Sequence, residues 1–153
     1  MSTRRSGYTL TEMIVVMVIF GVVTGLSMPR LHSVTSSAGL RSARVQTASY
    51  LLQARALAVQ RGREARFIRT GDQVKVTVDS SGTQVVYARP HDLKSEHGVS
   101  VSVPATINDT IRFDPRGFAI NAAATQRLVL SRDGMKDSVC VTKLGKVMRG
   151  CSL

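Results

Sequence analysis

The period of the hydrophobic pattern changes twice along this chain of 153 residues. Met13 to Val23 is apolar with only Gly21 interposed, and neither Lys nor Arg occurs between Gly7 and Met28. A helix from Tyr8 to Met28 would span roughly 32 Å, about the thickness of the hydrocarbon layer of a bilayer. From Leu40 onward the apolar positions recur at three- and four-residue steps, through Ala43, Thr47, Tyr50, Leu51, Ala54, Leu57 and Ala58. That spacing lines one face of a helix, suited to packing under a sheet, while Arg41, Arg44 and Arg55 fall at other angles. Gly62 is a stop signal, and Arg61 would sit in the last turn, where a cation is favoured. The pattern therefore predicts one helix from Thr9 to about Gln60, roughly 78 Å long.

Beyond Gly62 the period drops to two. Strands are predicted over Glu64–Thr70, Gln73–Asp79 and Thr83–Arg89, an antiparallel meander turned at Gly71-Asp72 and Ser80-Ser81-Gly82. Gly98–Val103, stopped by Pro104, and Thr110–Phe113 are further strands. Gln126–Ser131 and Asp137–Thr142 flank Arg132-Asp133-Gly134, where Asp-Gly signals a hairpin. Pro90–Gly98 reads as a polar loop. The predicted class is α+β: a long N-terminal helix packed on a mostly antiparallel β-sheet head. About 120 residues follow Pro29, enough for one small core, and the absence of Trp points to a core of Val, Leu, Ile and Ala.

One acid interrupts the apolar start. An ionised Glu12 inside a membrane helix costs a few kcal/mol and calls for a cationic partner. The cation that could lie at that depth is a free α-amino group, made by cutting the chain just before it, after Gly7. A secretory signal peptide would instead be cut beyond the apolar run, and Thr24-Gly25-Leu26-Ser27 offers small residues there. Its basic residues, however, would abut the apolar run, whereas Arg4 and Arg5 precede Gly7, and Glu12 has no place in such a segment. A plain N-terminal anchor is the other ordinary reading.

These residues resemble the class III signal of type IV pilins and pseudopilins. The resemblance implies a leader, residues 1–7, removed after Gly7 by a prepilin peptidase, with N-terminal methylation of Tyr8. It implies a membrane and filament-core helix over 8–29, with Glu12 and Pro29 as assembly residues, and a head over 30–153. Phe is usual where this chain has Tyr8. Two later stretches, Ile111-Arg112-Phe113-Asp114-Pro115-Arg116-Gly117 and Val139-Cys140-Val141-Thr142-Lys143-Leu144-Gly145-Lys146, are similar to the C-terminal patterns of the GspH/FimT family. That family holds minor pseudopilins of type II secretion and minor pilins that take up DNA in natural transformation. The expected partners are thus other pilin subunits, the prepilin peptidase and double-stranded DNA. The expected location is the inner membrane with a periplasmic head, then the pilus.

Charge bears on the choice between the two functions. The net charge is +11, and loss of Arg4 and Arg5 with the leader leaves +9. From Arg127 onward there are Arg132, Lys136, Lys143, Lys146 and Arg149 against Asp133 and Asp137 alone. Clustered cations are what nonspecific duplex binding requires, because phosphate neutralisation supplies most of its affinity. The family's DNA element is Gly-Arg-x-Arg; this chain has Gly145-Lys146-Val147-Met148-Arg149, with the second cation displaced by one position. In a strand that displacement reverses its face. Cys140 and Cys151 are the two cysteines, and an exported domain can keep a bridge between them. Two free thiols are the alternative. His32, His91 and His97 have no metal-ligand company in sequence, no phosphate-binding glycine motif occurs, and the acids are scattered. No enzyme, metal or cofactor is expected.

Overall fold

The computed structural model describes residues 7–104, 109–122 and 124–151, except the side chains of 26–33. Apart from Gly7, the expected leader therefore lies outside the described residues. The chain divides into two compact units, one up to Thr35 and one from Ser36.

Helix α1 runs over Leu10–Arg61, as the periodicity predicts. Its start is set by Thr9, whose Oγ1 and carbonyl accept from the Glu12 N–H at 3.3 and 3.1 Å. Glu12 occupies the first turn, where the helix dipole favours a carboxylate. In the first unit every side chain from Leu10 to Val23 is exposed. A continuous apolar surface of this kind marks contact with lipid or with other protein. Among the described residues no helix is long and apolar enough to cross a membrane. The expected span over 8–29 runs into side chains outside the described set, Pro29 among them.

In the second unit the helical stripe is buried where the spacing places it. Ala43, Thr47, Leu51, Ala54 and Ala58 are fully buried, and Leu40 and Leu57 nearly so; Tyr50 is half-buried. Thr47 donates its hydroxyl to the Ala43 carbonyl at 2.8 Å, which satisfies its polar group inside the core. The helix ends at Gly62, whose φ of 61° suits a residue without Cβ.

Among the described residues eight strands follow: β1 (Ala65–Thr70), β2 (Gln73–Ser80), β3 (Thr83–Asp92), β4 (Ser100–Ser102), β5 (Thr110–Phe113), β6 (Gln126–Arg132), β7 (Met135–Val141) and β8 (Val147–Arg149). They form two four-stranded sheets, ordered β3-β2-β1-β5 and β4-β6-β7-β8, in which every pairing is antiparallel. The meander and the Asp133-Gly134 hairpin are present, and both turn residues have positive φ, 49° and 79°. One contiguous core joins Leu51 and Ala54 of α1 to Phe67, Val76 and Phe113 of the first sheet and to Leu128, Leu130 and Val139 of the second.

Two segments differ from expectation. The stretch read as a loop over Pro90–Gly98 instead completes β3 and then forms the short helix α2, Leu93–His97. Asp92 caps α2 by accepting from Lys94 N and Ser95 N at 2.9 and 3.1 Å, and Gly98 ends it at φ 65°. These hydrogen bonds, that from Ser95 foremost, hold the Asp92 carboxyl below its ordinary value. Pro90 is tolerated because β3 is an edge strand whose register shifts between Val74 and Val76. The second difference is β8, a short strand beyond the last predicted one.

Leu51→Ala should lower the unfolding free energy by about 2–5 kcal/mol in urea titration, since the stripe residue is fully enclosed. A loss under about 1 kcal/mol would show that this face is not the core contact.

Candidate functional site

One end of the second unit is assembled from three separate stretches of chain. The turn from β7 to β8 closes around Thr142: Gly145 N donates to its carbonyl at 2.8 Å, Lys146 N to its Oγ1 at 3.2 Å, and Thr142 N to the Lys146 carbonyl at 3.0 Å. Gly145 has φ 74°, and a Cβ there would stand 1.9 Å from the Gly117 carbonyl oxygen, so only glycine fits.

Gly117 belongs to the loop organised by Asp114. The Asp114 carboxylate is buried and accepts from Arg116 N at 3.0 Å, Phe118 N at 2.8 Å and Arg116 Nε at 3.1 Å. Burial pushes this carboxyl up, but the hydrogen bonds and the Arg116 charge outweigh burial and leave it below its ordinary value. Ala119 N then donates to the Lys143 carbonyl at 3.0 Å and stitches the loop to the turn. Arg55 of α1 lies against both glycines, its Nε 3.0 and 3.1 Å from where their Cβ atoms would be.

The result is a basic end. Lys143 and Lys146 are exposed at the turn, Arg116 is 79% exposed on the loop, and Arg55 supports them from the helix. Beside it, β1 and β5 place Arg66 directly opposite Arg112. Like charges so placed repel. Glu64 lies between them, accepting from Arg66 Nε at 2.6 Å and Arg112 Nε at 2.8 Å. The Arg112 hydrogen bond foremost, with that of Arg66, holds the Glu64 carboxyl below its ordinary value despite burial.

The five cations predicted as one site do not all converge here. Lys136 lies near the start of β7, seven residues from Lys143 and so roughly 20 Å from it along the strand. Arg132 is engaged in the fold: Nη1 donates to the His97 carbonyl, and Nε lies 3.4 Å from Asp133 Oδ2. Gly39 of α1 leaves the room it needs, since a Cβ there would come within 2.0 Å of Nη1. Asp133 in turn accepts from Ser36 Oγ at 2.6 Å. Arg149 pairs in register with Val139, on the core-facing side of the sheet, and borders a groove with Val45, Ala48 and Leu52 of α1. Lys146 precedes β8, so Lys146 and Arg149 do not form a repeated element on one strand face. Arg55 and Arg116 were missed, because nothing local ties them to Lys143.

Cys140 and Cys151 are bridged, with Cα atoms 6.3 Å apart. Ser138 Oγ donates to the Cys151 carbonyl at 2.6 Å, and Gly150 N to the Ser138 carbonyl at 2.8 Å. The bridge thus holds the tail across Ser138 and Cys140, both buried, on the face of the sheet away from the core. At the other end of the chain, Gly7 and Tyr8 precede the helix and are exposed, as is Glu12.

An exposed apolar helix continuing into the spine of an antiparallel head, with a disulfide-tied C-terminus, defines a pilin-type subunit. The comparisons specify the family. Residues 43–145 match the model of the Type II transport protein GspH, and the chain belongs to that family. Residues 2–28 match the prokaryotic N-terminal methylation motif. The structure is similar to that of the type IV minor pilin FimU of Pseudomonas aeruginosa in two crystal forms. The P21 form has a TM-score of 0.62 at 17% identity, covering 75% of this chain and 90% of that one. The P65 form has a TM-score of 0.58 at 16% identity, covering 71% and 90%. No curated protein matches by sequence.

Reduction, or replacement of both cysteines by Ser, should cost about 2–3 kcal/mol in urea titration, given a sequence separation of 11. Intact-mass measurement under nonreducing denaturation should find no alkylatable thiol. Two alkylated cysteines would reject the bridge.

Proposed function

We propose that this chain is a minor pilin that is processed after Gly7, inserts in the inner membrane with its head outside, and binds duplex DNA without sequence preference. What supports DNA binding is the convergence of Lys143, Lys146 and Arg116, presented on backbone-stitched turns with Arg55 behind them. Such a surface suits phosphates and carries no base-reading array. DNA uptake in transformation is the activity this implies. The chain is a substrate of the prepilin peptidase and a filament component, with no catalysis of its own.

A second reading is a minor pseudopilin of type II secretion, structural and without DNA. It is favoured by the GspH match and by the placement of Arg132 and Arg149 away from the basic turn.

Mass spectrometry of the membrane-extracted chain should find Tyr8 as its N-terminal residue. An intact leader, or a terminus beyond Ser27, would remove the pilin reading. Glu12→Ala should leave cutting intact and impair filament incorporation, because the carboxylate would no longer meet a neighbouring terminal amine. Unchanged incorporation would refute that pairing.

The detergent-solubilised chain should bind duplex DNA with a dissociation constant of about 10⁻⁴ to 10⁻⁶ M at physiological salt. Replacing Lys143 and Lys146 by Gln should reduce the slope of log affinity against log salt by about 2, whereas Arg149→Gln should leave it nearly unchanged. Equal slopes for wild type and the double variant would move the site elsewhere. Absence of binding at low salt would leave the secretion pseudopilin.

A further inference from the structure

α2 turns the chain back so that Glu96 and His97 meet His91 at the end of β3. Each of the three offers a ligand atom within 4.8 Å of those of the other two. His91 Nδ1 and Glu96 Oε1 stand 3.1 Å apart, and the His91 and His97 ring centroids 5.7 Å apart. A tetrahedral ion with bonds of about 2.0–2.1 Å separates neighbouring ligand atoms by roughly 3.3 Å. The first pair is already at that spacing. Glu96, 54% exposed, has room to rotate, and the remaining approach is about one side-chain adjustment.

The ordinary alternative is a histidine held by hydrogen bonds. That reading accounts for Nδ1, which meets Glu96, but not for Nε2, which is buried without a hydrogen-bond partner in a side chain only 13% exposed. The ring packs against Tyr50, centroids 5.9 Å apart, and Tyr50 donates its hydroxyl to the Arg89 carbonyl at 3.2 Å. The local cations are occupied elsewhere, Arg132 on the His97 carbonyl and Lys94 beside Asp72.

We infer that His91, Glu96 and His97 form a binding site for a divalent transition-metal ion of the zinc class. Two imidazoles and one carboxylate suit Zn2+ and neighbouring first-row ions; Ca2+ and Mg2+ take oxygen ligands. Three protein ligands leave a fourth position for water. The ion would fasten α2 to the end of β3, a connection otherwise made by the Asp92 cap and by Leu93 in the core. The site lies in the segment that local reading takes for a polar loop. The spacing His91-x4-Glu96-His97 becomes a ligand set only once α2 folds.

The test is calorimetric titration of Zn2+ into the full-length chain in detergent, after chelator treatment and desalting. One ion should bind per chain and raise the thermal unfolding midpoint, and Ca2+ or Mg2+ should do neither. Glu96→Gln and His97→Asn should each weaken binding at least about tenfold. His32→Gln, which removes the third histidine of the chain, should bind as wild type. Far-UV circular dichroism of each variant shows that the fold is kept, and Glu96 and His97 are accessible enough for that. No saturable binding at Zn2+ well above the protein concentration, or full binding retained by the folded Glu96 and His97 variants, overturns the site.

Discussion

The head depends on one strip of helix. From Leu40 to Ala58, α1 presents a buried face to the core that it shares with both sheets. Four of its buried residues, Ala43, Ala48, Ala54 and Ala58, are small, and Leu40, Leu51 and Leu57 are the large apolar side chains of the buried face. Polar ties at the margins repeat the same constraint. Arg44 meets Asp137 of β7 at 2.9 Å, Ser36 meets Asp133, and Tyr50 meets the Arg89 carbonyl of β3. The helix fixes where the ends of β3, β6 and β7 lie.

The basic end follows from that placement. Its cations are displayed by backbone geometry: the Asp114 loop and the Thr142 turn are each closed by their own hydrogen bonds, then locked together by the Ala119–Lys143 bond and the Gly145–Gly117 contact. A surface built this way holds Lys143, Lys146 and Arg116 at defined positions, and of the three Arg116 is ion-paired, with Asp114. The opposite end of the β6–β7 hairpin uses Arg132 differently, as a strut between the hairpin and α2. One sequence cluster of cations therefore serves two physical purposes.

The first unit is governed by different physics. Its side chains from Leu10 to Val23 are exposed. Such a surface is stable only in lipid or against neighbouring apolar helices. The carboxylate of Glu12, at the capped first turn, is the one charge carried into that environment. A pilin-type subunit needs both properties, a soluble head stabilised by its own core and a helix stabilised by its surroundings.

Much of this was legible in the residue order, where the determinants are local. Period 3.6 over Leu40–Ala58, period two beyond Gly62, the Asp133-Gly134 turn and the register of Gly7, Tyr8, Glu12 and Pro29 are all properties of neighbouring residues. The caps of α2, Asp92 and Gly98, were also present, but five residues between them carry too little periodicity to announce a helix. What lay beyond reach was long-range pairing. That β5 joins β1, that the strands split into two sheets, and that Arg132 is engaged in a contact while Arg116 and Arg55 stand beside Lys143 all depend on how α1 and the sheets pack. Residue order sets the period and the turns, since those are decided within a few bonds. Only tertiary packing decides which side chains share a surface, because contacts between distant segments follow from burying a common core.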